Sequence, residues 1–144
     1  MDLWGEWPGA KPAQMFGLFV ALVLGALIGL ERALRRHQAG FHTSALVALG
    51  SAAFVVAGTL TGDDANPSRV AGQVVTGVGF LCAGVILHQG VTIRGLNTAA
   101  TVWCCSAVGV LAGLGFNAWA VLAAALVLAA NVVLHLFEHK VSDK

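Results

Sequence analysis

Five apolar stretches, at 13–30, 43–60, 70–87, 98–114 and 117–137, follow one another along the chain with short breaks between them. Each comes close to the roughly 20 residues that an α-helix needs to cross a hydrocarbon core. Lipid offers no partner to a backbone amide, so every N–H and C=O must be satisfied within the protein, and a succession of such stretches folds as spanning helices. Composition agrees, with 58% of the 144 residues hydrophobic and 10% charged, against about a quarter charged in soluble domains. The expected fold is all-α, a polytopic integral membrane protein of about five transmembrane helices with the lipid bilayer as its solvent. The loops are too short for a second folded module. The chain therefore divides into an N-terminal segment 1–12, one transmembrane domain 13–137 and a tail 138–144.

Between the fourth and fifth stretches there is no charge, and only Gly113, Gly115 and Asn117 interrupt the apolar run. A continuous helix would overshoot the bilayer about twofold at 1.5 Å per residue, so a tight turn at Gly113-Leu114-Gly115 is expected. Orientation follows from the basic residues near the segment ends. Arg32, Arg35, Arg36, Arg94, Lys140 and Lys144 fall on one side, against Lys11 and Arg69 on the other. Six against two places the amino terminus outside and the tail in the cytoplasm, with Trp4, Trp7 and Trp119 at the outer interface. The first residues carry Asp2 and Glu6 and no basic cluster, so no signal peptide is expected. In Asn66-Pro67-Ser68-Arg69 the asparagine is a good N-cap and the proline a good first helical residue, and Asn97 or Thr98 is the expected cap of the fourth helix.

Charge in or beside such segments is informative. Arg32, Arg35 and Arg36 read as cytoplasmic anchors that reach for the headgroups. Glu31 sits at the hydrophobic boundary, where it is expected to pair with Arg35 or Arg94. Arg69 lies in the first turn of the third helix, at the positive end of its dipole, and calls for a carboxylate, with Asp63 and Asp64 at hand. Gly25/Gly29 and Gly109/Gly113 are GxxxG pairs, which flatten a helix face for packing within the chain or in a dimer. Cys82, Cys104 and Cys105 lack the spacing of a zinc site or a disulfide framework. His135-Leu-Phe-Glu138-His139 matches a zinc-peptidase string, but it falls where the last helix meets a short tail, with only Asp143 as a further acid. No catalytic set, metal site or cofactor fingerprint is expected. A net charge of +1 without a basic cluster argues against nucleic acid.

Three segments together resemble the MgtC/SapB family of bacterial inner-membrane proteins. They are GALIGLER at 25–32 with AGFHTSALVALG at 39–50, PSRVAGQVVTGVGFLCAGVI at 67–86, and RGLNTAATVW at 94–103 running on to Gly109 and Gly113. The positions that carry the resemblance are Glu31, Arg32, Gly40, His42, Thr43, Asn66, Arg69, Gly77, Gly79, Gly84, Arg94, Gly95, Thr98 and Trp103. The family commonly has arginine at His42, an acid at Asn66, glycine at Cys82 and threonine at Asn97. The resemblance implies five spans, the orientation given above, and roles in adaptation to low magnesium and acid and in survival inside host cells. It further implies action by modulating other membrane proteins, the F-type ATP synthase among them, and no catalytic residue. Longer relatives carry a soluble carboxyl-terminal domain that these 144 residues do not include.

Two functions follow as expectations. The first is a non-enzymatic modulator that binds another membrane protein through glycine-rich faces, a homodimer also being compatible with them. The second is a small transporter or channel for Mg²⁺ or another cation. A divalent cation needs oxygen ligands, often carboxylates, and all seven acids lie at or beyond the segment ends, which favours the first.

Overall fold

The computed structural model describes residues 12–34, 40–60, 66–89 and 92–142, with side chains outside the description at 87–89, 92–93 and 134–142. Five helices account for nearly all of it: α1 (Pro12–Leu34), α2 (Phe41–Leu60), α3 (Pro67–Val85), α4 (Leu96–Gly113) and α5 (Asn117–Ser142). Among the described residues four of them, α1 to α4, are long and apolar enough to cross a membrane, and α5 adds an apolar portion over Asn117–Val133.

Local chemistry sets several of the ends. Asn66 is the N-cap of α3, its Oδ1 accepting from Ser68 N at 2.9 Å, and Pro67 follows at the first helical position. The turn between α4 and α5 falls at Leu114 and Gly115. There Gly115 N donates to Ala112 O and Phe116 N to Leu111 O, both at 2.9 Å, with Gly115 at φ +87°. This is a Schellman stop, in which a residue free of Cβ strain occupies the left-handed position.

Two expectations are corrected. Neither Asn97 nor Thr98 caps α4; its N-cap is Gly95, at φ +90°, with no side-chain cap. The third stretch does not stay helical to 87 but ends at Val85. Strands β1 (Leu87–Gln89) and β2 (Thr92–Arg94) follow, antiparallel, with Leu87 opposite Arg94. A side chain at Gly95 would run into Val85 O, so the return of the hairpin against the end of α3 requires glycine. Ile86 before Gly90 and Val91, Thr92 and Ile93 after it are β-branched, which suits extended backbone better than another helical turn.

Helices α1, α2 and α4 form the packed centre, with α3 against α4 and α2 and α5 against α4 and α1. The centre is built from small side chains, including Ala21, Ala48, Ala52, Cys105, Ala112 and Ala120. Large apolar groups point outward instead: Phe16, Phe19, Phe54, Phe80 and Leu126 are all exposed. A soluble protein would bury these. With hydrocarbon outside there is little gain in doing so, and close backbone packing becomes the main attraction between helices.

Candidate functional site

Arg32 lies in the last turn of α1, yet it is only 4% exposed. Its guanidinium crosses to α4, one terminal nitrogen donating to Thr101 Oγ1 at 3.0 Å and the other to Thr98 Oγ1 at 2.5 Å. Thr98 and Thr101 are three residues apart and so share one helix face. Thr101 Oγ1 in turn donates to Asn97 O at 2.9 Å and lies 3.5 Å from Asn131 Oδ1 on α5. Glu31 and Cys105 are close enough to act on the charge of Arg32, and Ser44 of α2 lies beside Cys105. The Nε of Arg32 and Nδ2 of Asn131 are buried without a hydrogen-bond partner among the described residues. The expectation that Arg32 serves as an anchor reaching for headgroups is therefore corrected. The threonine pair takes an N–H from each terminal nitrogen of the guanidinium inside the bundle, where hydrogen bonds to a charged group contribute about 1.5–3 kcal/mol.

The other expected charges are not gathered here. Arg69 is exposed in the first turn of α3, roughly 20 Å or more along that helix from the end that meets Gly95. Arg94 is exposed immediately before Gly95, and Glu31 is half-buried. Arg35, Arg36, Asp63 and Asp64, named as partners or anchors, lie outside the described residues, as do Trp4, Trp7, Lys11 and the side chains of His135, Glu138 and His139. His42 and Thr43 are exposed at the start of α2, the ring of His42 standing edge-on to Phe41 at 5.7 Å. Gly40 precedes them, its carbonyl accepting from Ser44 N. Trp103 is 47% exposed on the outside of α4. Among the described residues no three His, Cys, Asp or Glu side chains come together.

The glycines divide into two groups. Gly25 and Gly29 of α1 lie on α2: an added Cβ would stand 2.7 Å from Ala48 Cβ and Ser44 O at the first, and 2.8 Å from Phe41 Cα at the second. Gly109 and Gly113 of α4 lie on the same helix, against Ala48 O and, at 2.6 Å, Ala52 O. Both GxxxG pairs thus clasp α2. Gly77, Gly79 and Gly84 of α3, with Gly72, face open space, nothing lying within 4 Å of a Cβ added at any of them. On its inner side α3 is held by Val74, Val78 and Cys82 against Ala99 and Val102. Helices α2 and α3 touch where Gly58 receives Val70, and beside that contact runs a crevice of ≈ 590 Å³ lined by Leu46, Gly50, Phe54, Gln73, Gly77 and Leu81 among others.

Three polar links escaped sequence reading. Ser51 and Ser106 share a hydrogen bond of 2.9 Å between α2 and α4. Gln14 Nε2 donates to Thr59 Oγ1 at 3.3 Å, and Asn117 Nδ2 to Ala13 O at 3.2 Å. Isolated polar residues inside apolar runs, Gln14, Asn117 and Asn131, were the available signal, since a polar group in a spanning helix calls for a partner.

A helical bundle that is apolar outside, small-residued inside and cross-linked by buried polar groups is a multi-pass membrane protein. The chain belongs to the MgtC family, whose model matches residues 18–140. It is 49% identical over 120 residues to protein MgtC of Salmonella typhimurium, covering 83% of this chain and 52% of that one. Protein MgtC of Brucella abortus is 51% identical over 114 residues, 79% of this chain and 48% of the relative. An uncharacterised protein of Synechocystis is 51% identical over 121 residues, 84% and 52% of the two chains. The chain spans about half the length of these relatives. No solved structure matches it.

Proposed function

We propose that this chain is a non-enzymatic protein of the bacterial inner membrane that modulates other membrane proteins, as the family resemblance implies for the ATP synthase or transport systems under low Mg²⁺ or acid, and in pathogens during virulence. The observation that carries this reading is the outer face of α3. Gly72 and Gly79 lie on one stripe of α3 and Gly77 and Gly84 on another, Gly77 also lining the crevice with α2; all four are open, and α3 is the least buried of the four long helices. Glycine in a spanning helix favours the approach of another backbone, and the chain's other glycine pairs are already engaged with α2. The basic residues support an orientation with the amino terminus outside.

The test joins crosslinking to flux. A photo-crosslinker at Phe80, which is 81% exposed on α3, is expected to trap one defined membrane protein, or a second copy of this chain, and Gly79→Leu is expected to abolish the adduct without loss of folded protein. In parallel, proteoliposomes of wild type are expected to carry no Mg²⁺, Na⁺ or H⁺ flux. Reproducible flux that is lost in a folded Glu31→Gln/Arg69→Ala variant would replace this reading with the cation transporter.

A further inference from the structure

The node at Arg32 does more than join α1 to α4, because it delivers a buried cation to the start of a helix. The first N–H of α4 with a backbone acceptor at the cap is that of Ala99, which donates to Gly95 O at 2.8 Å. The N–H groups of Leu96, Asn97 and Thr98 precede it, and the N-cap Gly95 offers them no side-chain acceptor. Such groups and the helix dipole together amount to roughly half a positive charge at that end. Into this turn comes the guanidinium of Arg32, bonded to Thr98 Oγ1, more than nine-tenths buried and with its Nε still unpartnered among the described residues. Arg94 stands exposed one residue before the cap. Glu31 offsets part of the charge of Arg32, and the helix end and Arg94 remain on the positive side.

The rim of the turn is exposed, with Arg32 and Thr98 buried beneath it. Leu96 is exposed, as is Asn97, and Leu30 and Leu34 of α1 present apolar surface at the same end of the bundle. Donors converge where α1 ends and α4 begins, with apolar side chains flanking them, which is the level of the lipid headgroups for helices of this length.

We propose that the first turn of α4, with Arg32, Thr98 and Arg94, is a binding site for a phosphate-type oxyanion, supplied by the phosphodiester of an anionic phospholipid or by free phosphate. Uncapped N–H groups at a helix start with an adjacent guanidinium match the lone pairs and charge of that group. The site is built on α1 and α4 and its test reads anion binding, so its outcome is separate from crosslinking at Phe80 on α3.

The experiment uses the full chain in dodecyl maltoside micelles, which contain no phosphate, and reads its thermal unfolding midpoint, since a ligand that binds only the folded state raises it. One arm titrates inorganic phosphate against chloride at equal ionic strength; the other adds phosphatidylglycerol to the micelles. Arg32→Gln would disturb folding itself, so the variants are Asn97→Asp and Arg94→Gln, both at exposed positions. Wild type is expected to show a saturable upward shift in one arm or in both, phosphatidylglycerol alone identifying the headgroup and phosphate identifying the free ion. Asn97→Asp, which sets a carboxylate beside the site, is expected to weaken apparent affinity by about tenfold, and Arg94→Gln to weaken it less, with Asn97→Asp at least as stable as wild type and Arg94→Gln folded without the anion. No shift beyond the chloride control, or an equal shift in wild type and both variants, would overturn the assignment.

Discussion

Arg32 shows how a single charge is held inside a bundle with neutral partners. Two threonine hydroxyls on one face of α4 take its terminal N–H groups, so removing a hydroxyl leaves a buried donor of a charged group unmet. Thr98→Val, which keeps the shape and loses the oxygen, is expected to destabilise the folded state by about 1.5–3 kcal/mol, and Thr98→Ser by much less; unfolding in mixed micelles with rising dodecyl sulfate measures both. Equal stability of the valine and serine variants would mean that the guanidinium finds another acceptor. The cap at Asn66 is a smaller matter. Asn66→Ala should cost about 1 kcal/mol through loss of the bond to Ser68 N, read in the same assay.

At the scale of the helix, identical residues have opposite weight. Gly109 lies with its Cα directed at the backbone of α2, where any Cβ would collide with Ala48 O, and Gly79 faces open space. Gly109→Ala is expected to push α4 off α2 and to reduce the yield of folded protein severalfold, as measured by monodisperse recovery from detergent. Gly79→Ala should leave yield intact and raise stability by up to about 1 kcal/mol, the difference in helix propensity. The same logic explains the turns. Gly95 and Gly115 have φ of +90° and +87°, a region where a side chain is strained by roughly 1–2 kcal/mol, and at Gly95 the carbonyl of Val85 adds a steric bar.

For the whole molecule, the arrangement in the membrane is the matter to test. With the proposed orientation, a cysteine at Asn66 in a background lacking Cys82, Cys104 and Cys105 is expected to react with a membrane-impermeant maleimide in intact cells. A cysteine at Arg94, at the other end of α3, is expected to react only after permeabilisation. The reverse pattern would invert the topology. Apolar side chains cover the outside of the bundle, and alanine, glycine and valine fill most of the inside, so the protein has a bilayer-facing surface over most of its length, and on α3 open glycines alternate with exposed Val75, Phe80 and Leu81.

The number of helices, their order and the turn at Gly115 were legible in the sequence, because apolar length and the need to satisfy backbone groups in lipid leave few other solutions. The cap at Asn66 was legible for a local reason, since the side chain bonds an amide two residues away. The family was legible too, in three separated strings. What sequence could not decide was whether the GxxxG pairs meet within the chain or in a dimer, because the α2 backbone that Gly25, Gly29, Gly109 and Gly113 rest on is brought to them only by the fold. Nor could it decide that Arg32 turns inward. Its acceptors, Thr98 and Thr101, stand 66 and 69 positions away in the chain, and only the crossing of α1 on α4 brings them to the guanidinium.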